Sequence, residues 1–176
     1  MTTQQEIKTK LNQLFGEDNV ISEWNIAKQS QDDLTRRMYC PRVDIAVGPF
    51  NTDRRLEPNN RAISRACQNN TDLIEAIRSR SDMHNLNLES NGNPRCFMAI
   101  EIENRTGSKH RIGSIVNASA IGKIGIIATN NVADFTRIVR IRDYLEFLLS
   151  VGKSRYNPQN LMIILADNLM EALETV

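Results

Sequence analysis

Ile7, Leu11, Leu14 and Phe15 recur at helical spacing and are followed by Gly16, so the chain opens with an amphipathic helix. Ahead of them Thr3-Gln4-Gln5-Glu6 has the form of a capping box. Val20, Ser22, Trp24 and Ile26 alternate loosely and predict a strand over 20–27, with Trp24 as core or sheet-edge packing. Val43, Ile45 and Val47 form a second strand-like stripe, with Asp44, Ala46 and Gly48 on the other face and Gly48-Pro49 as its end. From 97 to 103 the pattern is apolar on both faces until the carboxylates begin. Strand alternation places Phe97, Ala99, Glu101 and Glu103 together, opposite Met98, Ile100 and Ile102.

Residues 51–95 are rich in Asn, Ser and Arg, and two helices are expected there, over 60–68 and 72–80. After Glu103 the pattern predicts a helix capped by Ser108, with Ile112, Ile115 and Val116 as its apolar stripe. Gly113, Asn117 and Ala120 make a small-residue stripe suited to lying close on a sheet. A buried strand over 124–128, a helix over 134–149, a strand over 161–165 and a last helix capped by Asp167 complete the chain. Helices alternating with buried strands mean an α/β domain, a mixed sheet covered on both faces.

The composition narrows the function classes. The 176 residues suit a single domain, 1–176, with 51–95 as a helical insertion or subdomain. No run approaches a membrane span, and residues 1–10 lack the apolar region of a signal peptide, so no membrane association is expected. Net charge is +1, so any nucleic-acid contact has to come from local patches. Cys40, Cys67 and Cys96 are odd in number and widely spaced, which fits buried thiols in a reducing cytoplasm better than disulfides or a CxxC metal site. His84 and His110 are the two histidines, too few for a histidine-built zinc site. P-loop, GxSxG, HExxH and strand-linked GxGxxG patterns are all missing.

What remains is acidic. Two carboxylates on so apolar a strand cost stability unless a cation or partner compensates them. Asp44 sits in a similar setting on the earlier strand. If the two strands are neighbours, three carboxylates converge, and hard oxygen ligands of this kind suit Mg²⁺ or Mn²⁺ shared with water and substrate phosphate. The order Val43-Asp44-Ile45, then Ala99-Ile100-Glu101-Ile102-Glu103, then a helix and a buried strand, resembles the PD-(D/E)XK nuclease superfamily. Glu103 stands where most of that superfamily has lysine, although some restriction endonucleases carry Glu-x-Glu, and the gap between Asp44 and Glu101 implies an insertion.

The resemblance implies a restriction endonuclease-like three-layer fold and a Mg²⁺-dependent endodeoxyribonuclease that hydrolyses DNA phosphodiesters, acting as a homodimer for a double-strand cut. It implies Asp44, Glu101 and the Ile102 carbonyl as metal ligands, and Glu103 as the group that orients or deprotonates water. Lys109 would supply the displaced positive charge, and Glu6 is a weaker candidate acid. Arg105, His110 and Arg111 surround the start of the next helix, a natural phosphate site. With Arg54, Arg55, Arg61 and Arg65, and further along Arg137, Arg140 and Arg142, they are the expected DNA contacts. The rival expectation is a nuclease-fold protein that binds nucleic acid or a partner protein without cutting, since Glu103 replaces the lysine.

Overall fold

Thr2 starts the first helix, α1 (Thr3–Phe15): its hydroxyl accepts from the Gln5 N–H at 3.3 Å, and the Gln5 side chain accepts from the Thr2 N–H at 2.9 Å. The capping box therefore lies one residue earlier than the sequence predicts, because the reciprocal partner has to stand at the third helical position. The computed structural model describes residues 2–26, 41–52, 56–83, 85–104 and 107–176, without the side chains of 56–59. Expectations resting on Cys40, Arg54, Arg55, His84 or Arg105 lie outside the described residues.

The strands are β1 (Val20–Asn25), β2 (Arg42–Val47), β3 (Cys96–Glu103), β4 (Gly122–Thr129) and β5 (Leu161–Leu165). They form one sheet in the order β1-β2-β3-β4-β5, antiparallel from β1 to β3 and parallel from β3 to β5. The parallel steps need crossovers, which α4 (Ser108–Ile121) and α5 (Val132–Ser150) supply. One face of the sheet packs Ile45, Ile100, Ile124, Ile126 and Ile164 against α1, α2 (Leu56–Asn69), α3 (Thr71–Arg80) and α6 (Ala166–Glu174). On the other face Ile115 and Ala118 of α4 and Ile138 of α5 meet Ile127, Leu161 and Ile163. The chain is thus α/β, a mixed sheet flanked by helices, and among the described residues no helix is long and apolar enough to cross a membrane.

Segment 51–95 is built into this core: Cys67, Leu73, Ile74, Ile77 and Met83 share the cluster that covers the sheet. Asp82 also shields the β5 edge. Its N–H donates to the Ile163 carbonyl at 3.1 Å, and its carboxylate accepts from the Ile163 N–H at 3.0 Å.

Regular alternation fails at two places. Glu23 has φ +52°, in the left-handed region, and the β1–β2 register sets it opposite Asp44. Trp24 and Val43 then pack with Ala46 in one cluster while Ile45 and Val47 enter the other, so the expected Val43-Ile45-Val47 stripe is split at Asp44. On β3, Phe97 packs with Met98 and against Phe15 (ring centroids 6.0 Å apart) instead of sharing a face with Ala99. The β3–β4 register, in which no partner pairs with Phe97, accommodates the slip.

Helix starts also differ in detail. Gly107, without a capping side chain, precedes α4, and Leu165 precedes α6, leaving Asp167 in its first turn. Of the Gly113-Asn117-Ala120 stripe only Asn117 meets the sheet, through Glu101 of β3; Ala120 is exposed and a Cβ on Gly113 would touch nothing, so the close backbone approach lies elsewhere. That contact falls on Ala118, where a Cβ on Gly125 of β4 would sit 2.9 Å from the Ala118 carbonyl carbon and 2.9 Å from the Ser119 nitrogen. Gly125→Ala should therefore cost about 1–3 kcal/mol, read as a lower urea midpoint at unchanged m-value.

Candidate active site

The backbone ladder between β2 and β3 pairs Ile45 with Ile100 and goes no further toward Asp44 and Glu101. In the opening gap the Ile102 N–H donates to Asp44 Oδ2 at 2.8 Å, a side chain standing where a strand would have been. On an extended strand the N–H and C=O of one residue serve the same neighbour, so the Ile102 carbonyl faces that gap as well. Glu101 and Glu103 point to the other layer, toward α4. Asn117 Nδ2 donates to Glu101 Oε1 at 3.4 Å, and Ser114 Oγ donates to Glu103 Oε2 at 3.0 Å. Both glutamates are buried, with 7% and 4% of their surface exposed.

On the opposite side α1 reaches in. Gln4 Nε2 donates to the Asp44 carbonyl at 3.1 Å and to Glu23 Oε1 at 3.3 Å, while Arg42 Nε lies 2.7 Å from Glu23 Oε2. The strained Glu23 thus joins α1, β1 and β2 beside Asp44. These groups line an open cavity of about 820 Å³, whose wall also includes Asn104, Lys109, His110 and Gly113. Its rim is tied by Asn130, which donates to Asn104 Oδ1 at 2.6 Å and accepts from the Thr3 hydroxyl at 3.3 Å. The uncapped first turn of α4 stands at the same cavity through Lys109 and His110.

Crowding of carboxylates has a measurable cost. Glu101 is pushed up to about 8, first by burial and then by the Asp44 charge, with smaller upward contributions from Glu103 and a hydrogen bond to Asp44, against the downward pull of Asn117. A buried acid pair of this kind favours either a shared proton or a cation.

Of the residues singled out from sequence, Asp44, Glu101, Ile102, Glu103, Lys109 and His110 come together in this one cavity. Glu6 does not: it is exposed on α1 and outside the cavity wall, to which α1 contributes Thr3 and Gln4. Arg111 is withdrawn from the expected DNA contacts, because its side chain is buried and bonded to Asp134 Oδ1 at 2.7 Å, pinning α4 to α5. Arg142 is likewise buried, paired with Asp82 and Asp143. Arg61 and Arg65 are exposed on α2 and line a separate depression of about 450 Å³ with Asn60, Ser64 and Gln68. The pattern gave no sign of Gln4, Glu23 or Arg42. Ser114 and Asn117, one turn apart, were legible only as part of a helix face.

No family model, no curated protein and no solved structure matches the chain. Among the described residues no group of three or more His, Cys, Asp or Glu side chains is arranged to hold a metal ion alone. Two carboxylates and a backbone carbonyl nevertheless fit a hard divalent cation that keeps several waters, and the raised Glu101 marks where a positive charge would be accommodated.

The Glu101 shift predicts the pH dependence of stability. Between 4.5 and about 8 the folded chain retains a proton on Glu101 that the unfolded chain releases, so the Glu101 contribution to stability is full below 4.5 and is lost as pH rises toward 8. In chelator, urea unfolding across this window should show a loss on the order of 2–4 kcal/mol, and Glu101→Gln should flatten it.

Proposed function

We propose that the chain is a Mg²⁺-dependent endonuclease of the PD-(D/E)XK superfamily, with a restriction endonuclease-like fold, that hydrolyses phosphodiester bonds in DNA. The observation that carries this reading is the Asp44 carboxylate held against Glu101-Ile102-Glu103 in one open cavity. The element order α1-β1-β2-α2-α3-β3-α4-β4, with α2 and α3 in the inserted segment, supports it, as does the uncapped α4 start beside Lys109. Buried free thiols at Cys67 and Cys96 fit a reducing cytoplasm.

Asp44, Glu101 and the Ile102 carbonyl would hold the metal. Bound Mg²⁺, or Mn²⁺ in its place, neutralises phosphate charge and makes water more acidic. With a cation held beside Asp44, Glu101 would be favoured as the carboxylate. Glu103, fixed through Oε2 by Ser114, orients the attacking water and takes its proton. Lys109 and the first-turn N–H groups of α4 face the scissile phosphate. Arg61 and Arg65, with Arg54, Arg55 and Arg105, extend the DNA contact.

A second reading has its own support: Glu103 occupies the usual lysine position and is buried under Ser114, which fits binding without cleavage. Plasmid incubated with Mg²⁺ or Mn²⁺ separates the two. Asp44→Ala and Glu101→Ala should lower the cleavage rate by roughly 10²-fold or more. Equal residual cleavage by the wild type and both variants rules out the enzyme, and DNA retention without cleavage by the wild type establishes the binding protein. Glu103→Gln should lose cleavage while keeping Mg²⁺ affinity, measured by calorimetry, because its carboxylate acts on water.

A further inference from the structure

Helix α5 is apolar on both sides. Its inner side buries Ile138 and Arg142 against the sheet layer. Its outer side carries Val132, Tyr144 and Phe147, with Val151 just past its end, exposed at 65%, 57%, 56% and 48%. These are four of the seven exposed large apolar residues among the described ones, so the apolar exposure is concentrated on one element.

On the side away from Ile138 and Arg142, Val132, Thr136, Arg140, Asp143, Phe147 and Val151 form an exposed stripe along the helix, flanked by the exposed Tyr144. Its spacing of four, four, three, four and four is the same read from either end. A two-fold axis midway along it sets Val132 against Val151 of a second copy, Thr136 against Phe147, and Arg140 against Asp143. The charges then complement each other. Arg140 has no hydrogen-bond or ion-pair partner among the described residues. Asp143 engages Arg142 through Oδ1 alone, at 2.8 and 3.2 Å, which leaves Oδ2 for a second cation. Antiparallel helices also oppose their dipoles favourably.

We propose that the outer face of α5 is the homodimer interface, with two copies of α5 packed antiparallel about this axis. An isologous contact needs a patch that complements itself, and this stripe does so in both charge and apolar content. The helix has 19 residues and spans roughly 28 Å, so the contact is small and the dimer weak, with Kd of about 1–100 µM. Asn130, two residues before Val132, ties the cavity rim, so the partner's Val151 end comes to lie near that rim.

Oligomeric state, not cleavage, is the readout, so the outcome is independent of the proposed reaction. Sedimentation equilibrium of the full chain from about 1 to about 300 µM should show monomer–dimer exchange, and Phe147→Glu should abolish it with circular dichroism unchanged. Register is tested by mixing Val132→Cys with Val151→Cys chains under mild oxidation, beside the unsubstituted chain as control for its own thiols. A crosslink between the two variants, and not within either, is expected. A monomer at all concentrations, a dimer indifferent to Phe147→Glu, or a Val132→Cys chain that crosslinks equally well to itself overturns the proposal.

Discussion

Where the β2–β3 ladder stops, the Asp44 carboxylate takes over the work of a backbone carbonyl and accepts the Ile102 N–H. Everything at the candidate site depends on that substitution. A strand parting from its neighbour leaves donors and acceptors that have to be satisfied. Here one donor is satisfied by the acid that also belongs to the cavity, and the paired carbonyl is left facing the opening. The same parting admits the Gln4 amide from α1, which holds the Asp44 backbone and Glu23 together.

Beside this parting stands Glu23. Its left-handed backbone breaks the two-residue rhythm of β1 opposite Asp44, and the apolar residues on either side sort into different layers. Such a conformation costs of the order of 1–3 kcal/mol and persists only where surroundings hold it. Arg42 and Gln4 both hold the Glu23 side chain. The acids are therefore gathered at some expense, and burial of Glu101 beside Asp44 adds to it. A ligand that brings positive charge would relieve the like charge concentrated in this open cavity.

Arginine use illustrates how differently one residue type is spent. Arg111 and Arg142 are inside, each bonded to acids, and tie α4 to α5 and α5 to the 51–95 segment. Arg61, Arg65 and Arg140 are exposed. Periodicity alone could not separate these roles, because a buried arginine is tolerated only where an acid from a distant element meets it. Asp134 and Asp82, the acids concerned, lie 23 and 60 positions from their partners.

The sequence by itself determined the α/β class, the order of the elements, most helix and strand positions, and the cluster Asp44-Glu101-Glu103 with Lys109 as the chemistry to examine. Those features rest on local periodicity and residue type, which a linear chain displays. Only the tertiary structure decided that Asp44 turns sideways between strands, that Phe97 leaves the face of Ala99, and that Ser114 and Asn117 hold the two glutamates. It also decided that Gln4, and not Glu6, meets the cavity, and that Val132, Tyr144 and Phe147 of α5 are left exposed. Each of these follows from where a strand pair ends or how a helix is rotated against its neighbours. Such rotations and endpoints are fixed by packing between distant residues, and no window of sequence contains them.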